Sequence, residues 1–250
     1  MNYSAWLWDI VNWLSLPLVT ALAGILASRK LHREFPFFWT LLVTTAVVGV
    51  LRFSAQFAPG STYDYVYWIS NLAIDALNLL AVYELFGLRL FTGFYKVRFY
   101  RYLFAAVAVV IILGGGFIAM ASANKYKAFI VQDRVFDFLV VALLAFFLAL
   151  MVLMGREFRR YDFAIAFGLV VANAGALVAS AMWLRSDQQG IIAEVSPITF
   201  DLASLVWLYC FWSKKPAVGQ QPAAPLGTDV LLEARKWEGA LKDWLNQEKR

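Results

Sequence analysis

Cysteine and histidine are nearly absent from this chain of 250 residues: Cys210 is the single cysteine and His32 the single histidine. One cysteine cannot form an intrachain disulfide, and it cannot build a cysteine-based zinc or iron–sulfur site. One histidine, placed between Arg29 and Arg33, excludes a bis-histidine haem, a histidine-based metal centre and a Ser-His-Asp triad. We therefore expect no metal, no cofactor and no enzyme activity.

Charged residues are also scarce. They make up 16% of the chain, whereas hydrophobic residues make up 62%. Soluble domains average about 25% charged and about 45–50% apolar residues. A soluble domain of this length has no interior large enough for so many apolar side chains. The composition therefore predicts a multi-pass membrane protein, with the lipid bilayer as its first partner.

Seven apolar segments follow one another along the chain, and each is long enough to cross a hydrocarbon core of about 30 Å as a helix. They are residues 5–28, 37–57, 64–87, 102–123, 130–154, 163–184 and 191–212. The fifth is the least apolar, because Asp133, Arg134 and Asp137 lie in its first turns. The predicted fold class is an all-α polytopic membrane protein with a seven-transmembrane-helix bundle.

Lysine and arginine are distributed unevenly between the predicted loops. Most lie in the first, third and fifth loops and at the start of the tail, and few lie in the other loops. Cytoplasmic loops carry the excess of Lys and Arg, so the N-terminus is predicted outside and the C-terminus in the cytoplasm. The net charge of +5 is explained by this orientation in a bacterial inner membrane, and nucleic acid is not expected as a partner.

The chain divides into three parts. Residues 1–212 form the predicted transmembrane domain, residues 213–227 a flexible linker rich in proline, and residues 228–250 a cytoplasmic amphipathic helix. The apolar stripe of this helix is Val230, Ala234, Trp237, Leu241 and Trp244. Val230, Trp237, Leu241 and Trp244 are the predicted docking residues. The stripe could cover the membrane surface, a cytoplasmic or membrane protein partner, or this protein's own loops.

Acidic residues recur along the chain at a nearly constant separation in sequence. Asp9 and Asp137 begin two of the segments, and Asp75 and Asp201 lie in the middle of two others, with offsets of 128 and 126 residues. These offsets predict a parallel repeat, arranged as three helices, one linking helix and three helices. Topology alone is the alternative explanation, because every odd-numbered helix must end in a basic loop.

Polar side chains inside the predicted spans mark the candidate site, since ionisable groups in hydrocarbon cost about 3 kcal/mol or more. Asp75 and Asp201 are the acidic groups near the midplane, with Arg52 as a counter-ion. The predicted ligand-binding set is Arg52, Trp68, Asn71, Asp75, Asn78, Asp137, Asn173 and Asp201. These residues predict an outer-facing polar cavity for a small polar or cationic ligand. The alternative is that Asp75 and Asp201 are structural and join helices together.

Several known membrane classes do not fit. The last segment contains no lysine for a retinal Schiff base, and no Pro-Gln dipeptide occurs that would indicate a PQ-loop transporter. The motifs of metal-dependent, rhomboid-like and presenilin-like intramembrane proteases are also missing. The stretch YVYWISNLAIDALNLLAVYELF, residues 65–86, resembles a segment of seven-helix bacterial membrane proteins that have no assigned activity.

Three functions follow as expectations. The first is a receptor-like or sensory module that binds a small ligand in the outer cavity and couples to a partner through the C-terminal helix. The second is a small carrier, proton-coupled through Asp75 and Asp201. The third is a non-catalytic subunit of a membrane complex, docked through the tail.

Overall fold

A computed structural model describes residues 3–57, 62–90, 106, 109, 113, 125–153, 160–183 and 195–213. These residues contain six α-helices and no strand. The helices are α1 (Tyr3–Ser28), α2 (Pro36–Ala55), α3 (Thr62–Tyr83), α4 (Lys125–Leu153), α5 (Arg160–Trp183) and α6 (Val195–Trp212). A 3₁₀ turn, Leu31–Arg33, joins α1 to α2, and a π-helical turn, Glu84–Leu90, continues α3. The all-α class is confirmed, and the predicted segment 102–123 and tail helix 228–250 lie outside the described residues.

Four stretches are long and apolar enough to cross a membrane: Pro36–Ala55, Thr62–Leu88, Arg160–Met182 and Val195–Trp212. α1 contains a shorter apolar stretch, Trp13–Ser28. α4 carries Asp133, Arg134 and Asp137 in its first half. The helices are therefore compatible with a membrane-embedded protein, as the composition predicts.

The described helices pack in chain order, and α6 closes the arrangement by packing on α1. Arg52 at the end of α2 meets Ser70 of α3, whereas Phe38 at the start of α2 meets Glu84, so α2 and α3 are antiparallel. Asn71 meets Asp133 and Phe86 meets Phe147, so α3 and α4 run parallel.

The apolar core occupies one end of this bundle. We call this the basic end: it contains the end of α1, the start of α2, the end of α3, the start of α5 and the end of α6. Most of the largest fully buried side chains lie here or in the adjoining turns, among them Leu22, Leu26, Phe35, Phe38, Leu85, Phe86, Trp207 and Phe211. The others, Leu139, Leu144 and Met151, lie on α4. Aromatic contacts connect three helices, since Phe38 meets both Trp207 and Phe211, and Tyr161 stacks on Phe211.

Charged side chains cap helix termini at the basic end. The carboxylate of Glu84 accepts hydrogen bonds from the backbone N–H groups of Phe37 and Phe38, at 3.1 and 2.9 Å. These N–H groups lie in the first turn of α2, where no intrahelical carbonyl is available and the helix dipole favours an anion. Glu84 therefore caps α2. Arg29 donates to the carbonyl of Trp212 at the end of α6. The helix dipole favours a cation at this C-terminal end, as it favours an anion at the start of a helix.

Small residues on α5 allow close approach of α6. A Cβ at Gly168 would overlap the indole of Trp207, and one at Gly175 would overlap the side chain of Thr199. The Trp207 indole N–H also donates to the carbonyl of Ala164, at 2.9 Å.

A glycine and a proline inside these helices do not alter helix packing or backbone pairing. A Cβ at Gly24 would meet no atom within 4 Å, so this glycine does not mark a close approach of α1 to another helix. Because α6 begins at Val195, Pro197 lies in the first turn, where a missing N–H interrupts no hydrogen bond.

Candidate functional site

Arg52 is the centre of a polar cluster between α2 and α3. Its guanidinium donates to the hydroxyl of Ser70 at 2.8 Å, to the side-chain oxygen of Asn71 at 2.7 Å and to the carbonyl of Tyr67 at 3.3 Å. The same group lies over the Tyr67 ring, 4.4 Å from its centroid. The planar fork of arginine explains why one side chain can meet several acceptors on a neighbouring helix.

Asn71 connects this arginine to α4. Its amide oxygen accepts from Arg52, and its amide nitrogen donates to a carboxylate oxygen of Asp133 at 2.7 Å. The amide oxygen and the amide nitrogen have their partners in the same orientation of the side chain, so both groups hold it in place. The cluster therefore spans three helices, α2, α3 and α4.

Three carboxyl groups gather on the α4 side of the cluster. Asp75 of α3 lies within hydrogen-bonding distance of Asp133 and close to Asp137. Asp75 and Asp137 are 7% and 5% exposed. One carboxylate oxygen of Asp137, Oδ2, is buried and has no hydrogen-bond partner among the residues that the structure describes. We call Arg52, Ser70, Asn71, Asp75, Asp133 and Asp137 the acidic cluster.

The charges of the acidic cluster do not balance when all its carboxyl groups are ionised. Arg52 supplies one positive charge, whereas Asp75, Asp133 and Asp137 supply three carboxyl groups. Like charges at close range in a buried site repel strongly, and buried charges require a partner. The cluster therefore has the chemistry to take up protons or a positively charged group.

The structure brings together half of the predicted ligand-binding set. Arg52, Asn71, Asp75 and Asp137 belong to the acidic cluster. Trp68 lies next to it, edge-on to Tyr67 with ring centroids 5.1 Å apart. Asn78 lies one turn further along α3 than Asp75 and is half-buried.

Asn173 and Asp201 lie elsewhere in the bundle. Asn173 is buried on α5 and donates to the carbonyl of Leu169 in its own helix, at 2.7 Å. Asp201 is buried on α6, where both its carboxylate oxygens lack a hydrogen-bond partner within the described part of the chain. The contacts that define the acidic cluster all lie on α2, α3 and α4, so Asp75 and Asp201 do not share its hydrogen bonds.

Sequence reasoning missed Asp133, Ser70 and Tyr67. Asp133 was left out of the predicted ligand-binding set, but α4 begins at Lys125, so Asp133 lies more than two turns inside the helix. The available signal was the spacing of Asp133 and Asp137, which places both on one helix face. Ser70 lies five positions before Asp75, a spacing that gave no comparable signal.

Among the described residues, no group of three or more His, Cys, Asp or Glu side chains has the geometry to hold a metal ion. Comparisons with protein-family models, curated proteins and solved structures found no match.

Proposed function

We propose that this chain is a receptor-like or sensory membrane protein, without catalytic activity, that binds a small cationic ligand at the acidic cluster. The observation that carries the proposal is the excess of buried carboxyl groups around Arg52, including the buried Asp137 oxygen without a hydrogen-bond partner. An ammonium group between Asp75, Asp133 and Asp137 offsets one of the two excess negative charges, and a proton on one carboxyl group offsets the other. The aromatic rings of Tyr67 and Trp68 adjoin the position.

The position of the apolar core favours ligand binding over ligand transport through the bundle. The acidic cluster lies in one half of the bundle, and the basic end is filled by large apolar side chains such as Phe38, Phe86, Trp207 and Phe211. A ligand that enters the acidic half meets this packed layer. A receptor needs only the acidic half to be accessible to the ligand, whereas a carrier must also open the basic end.

α2 and α3 provide a physical route for a signal. Arg52 joins the end of α2 to α3 in the acidic half, and Glu84 joins the end of α3 to the start of α2 at the basic end. A ligand that draws Asp75 or Asp133 towards itself changes the hydrogen bonds of Asn71 and Arg52, and α2 transmits the shift to its first turn. We propose that the tail helix, residues 228–250, carries the response to a protein partner.

A small carrier is the second candidate, favoured by the arrangement of the helices. α3 runs parallel to its neighbour α4, and α6 packs on α1 with both helices ending near the Arg29–Trp212 contact. This similarity supports the predicted parallel repeat, in which Asp201 corresponds to Asp75. A carrier would use these two aspartates in turn. A third candidate is a subunit of a membrane complex, and the apolar stripe predicted for residues 228–250 is its one support.

The topology is part of the same proposal. We propose seven membrane-spanning helices, with residues 102–123 as the fourth, the N-terminus outside and the C-terminus in the cytoplasm of a bacterial inner membrane. The basic residues Arg29 and Arg160 then lie on the cytoplasmic side, as the positive-inside rule requires. The acidic cluster faces the outer half.

Titration with tetramethylammonium, followed by intrinsic tryptophan fluorescence in lipid nanodiscs, tests the binding proposal. We expect saturable binding by the wild type and binding weaker by about tenfold or more in Asp133→Asn, which equals about 1.4 kcal/mol. Glu34→Gln is the control, because Glu34 is exposed in the turn before α2, at the basic end. Equal affinity in wild type and Asp133→Asn, or no saturable response, would contradict the proposal.

A further inference from the structure

Two arginines from different helices meet at the end of α6. Arg29, which directly follows α1, donates to the backbone carbonyl of Trp212 at 2.8 Å. Arg160, the first residue of α5, donates to the hydroxyl of Ser213 at 3.1 Å. Trp212 and Ser213 are adjacent in the chain, and α1 and α5 both pack on α6. The two guanidinium groups therefore reach the same helix terminus from its two neighbouring helices.

Most of the hydrogen-bonding capacity of these arginines is unused. A guanidinium has several N–H donors in a planar fork, and each of these two makes one hydrogen bond within the described part of the chain. Neither Arg29 nor Arg160 is paired with a carboxylate there, and both side chains are half-buried. The hydroxyl of Ser213 accepts from Arg160, and its own O–H is still available as a donor. The terminus therefore presents a set of donors that matches the oxygens of a phosphate group.

The charge at this terminus is positive. The last carbonyl groups of a helix carry about −0.5 elementary charge, which is less than the charge of two arginines. Lys214 and Lys215 follow in the sequence, and the buried carboxylate of Glu84 is already used by the N–H groups of α2. The positive-inside rule accounts for basic residues in these loops, but it does not require two guanidinium groups to meet at one helix end. An anion at this position would offset the excess.

An apolar stripe on α6 leads to the two arginines. Leu202, Leu205, Tyr209 and Trp212 recur at spacings of three, four and three residues, so they share one helix face, and all four are exposed. The guanidinium of Arg160 lies 5.9 Å from the ring centroid of Tyr209. Donors for a phosphate at one end and uncovered apolar side chains along the same helix match the two parts of a phospholipid, the headgroup and an acyl chain.

We propose that Arg29, Arg160 and Ser213 bind the phosphate of an anionic phospholipid in the leaflet at the basic end, with an acyl chain along the exposed stripe of α6. Basic pockets between membrane helices hold anionic headgroups in this way. A zwitterionic phospholipid carries its own ammonium group, which the arginines repel, so the site selects a lipid with net negative charge. A lipid bound here joins α1, α5 and α6. The site is separate from the acidic cluster and does not depend on the ligand proposed there.

Thermal unfolding of the full chain in dodecylmaltoside micelles tests this proposal, with phosphatidylglycerol titrated in parallel with phosphatidylcholine of the same acyl chains. We expect phosphatidylglycerol to raise the unfolding midpoint of the wild type saturably and phosphatidylcholine to raise it less. Arg29→Gln and Arg160→Gln should each increase the half-saturating concentration of phosphatidylglycerol about fivefold or more. Arg33→Gln is the matched control, because it removes the same charge from an exposed position in the turn after α1, and it should keep the wild-type value.

Native mass spectrometry of the same samples provides a readout that does not depend on stability. The wild type should retain phosphatidylglycerol in preference to phosphatidylcholine, and Arg160→Gln should lose this preference. Inorganic phosphate, added at the same concentrations, should not raise the unfolding midpoint. An equal rise with inorganic phosphate would make free phosphate the ligand and overturn the lipid proposal. A dimer that carries no lipid would also overturn it, because a second copy of the chain would then cover the stripe.

Two further results would overturn the proposal. The first is an equal response of the wild type to phosphatidylglycerol and phosphatidylcholine. The second is an effect of Arg33→Gln as large as that of Arg160→Gln, which would mean a diffuse attraction of lipid to all basic residues of this end. Asp133→Asn should keep the wild-type response to phosphatidylglycerol. Failure here leaves tetramethylammonium binding at the acidic cluster unchanged, so the two proposals are distinguishable.

Discussion

The basic end and the acidic half of this bundle are built from different interactions. At the basic end, large apolar side chains interlock and helix termini receive charges of the favourable sign, as with Glu84 on α2 and Arg29 on α6. In the acidic half, Asp75, Asp133 and Asp137 outnumber the one arginine that faces them. The first arrangement lowers the free energy of the fold, and the second raises it unless another positive group is present.

The difference shows in which part of the bundle buried like charges lower the stability of the fold. Helix association in a membrane depends on close packing, because lipid is as apolar as the side chains it contacts. Trp207 against Gly168 is packing of this kind. Buried carboxyl groups add nothing to such packing, and the proposed function uses them as a ligand site. Substitutions in the two regions should separate these roles.

Trp207→Ala should have the largest effect on stability. It removes a fully buried indole that meets Phe38 and fills the space above Gly168. The expected loss is about 3–5 kcal/mol of the free energy of unfolding, measured by reversible unfolding in mixed micelles. Trp212→Ala is the control, because Trp212 is 67% exposed, and it should change stability little. Equal losses in the two variants would show that the basic end is not the packed region.

Glu84→Ala should have the next largest effect. It leaves the N–H groups of Phe37 and Phe38 without their acceptor, which costs about 1–3 kcal/mol. Glu84→Gln keeps one acceptor and should lose less. The exposed residue Glu34 gives the control variant Glu34→Ala, and the same unfolding measurement applies. If Glu84→Ala unfolds like the wild type, the cap on α2 contributes nothing.

Arg52→Lys should affect the acidic half specifically. Lysine keeps the charge but cannot reach Ser70, Asn71 and the Tyr67 carbonyl together, so a loss of about 1–3 kcal/mol is expected. Hydrogen exchange should rise in α2 and α3 near the cluster and stay unchanged at the basic end. A uniform rise in exchange would mean that the two regions are not independent. Arg33→Lys, at an exposed position, is the control.

Lys30→Gly should have the smallest effect, and in the opposite direction. Lys30 lies between the end of α1 and the 3₁₀ turn and has a φ of 59°, in the left-handed region that glycine adopts without steric cost. Relief of left-handed strain of about 1–2 kcal/mol, less the larger chain entropy of glycine, should stabilise the basic end by about 0.5–1 kcal/mol, visible as a higher unfolding midpoint. A lower midpoint would mean that the Lys30 side chain contributes more than its backbone conformation costs.

The sequence predicted the helices well, because hydrophobic length determines where a chain can cross a membrane. Residues 37–57 were predicted where α2 spans Pro36–Ala55, and residues 163–184 where α5 spans Arg160–Trp183. The start of α4 was placed too late, since Lys125, Lys127 and Asp133 lower the hydropathy there although the helix already continues through them.

The site was predicted only in part, because residue spacing gives the face of one helix but not which faces of two helices meet. Asp75 and Asn71 were correctly placed on one face of α3 with Arg52 near them. The pairing of Asp75 with Asp201 rested on similar depth, and depth does not determine which helices are neighbours. The partner of Asp75 is Asp133, on the parallel helix α4.

The most direct test of the account is the stability of a variant that combines Asp75→Asn, Asp133→Asn and Asp137→Asn. If these carboxyl groups form a binding site, the variant should unfold at the same midpoint as the wild type or a higher one, because buried like charges are removed. It should also gain nothing from tetramethylammonium, which stabilises the wild type. A variant that is much less stable than the wild type without any ligand would show that the acidic cluster joins helices together, and the account would be wrong.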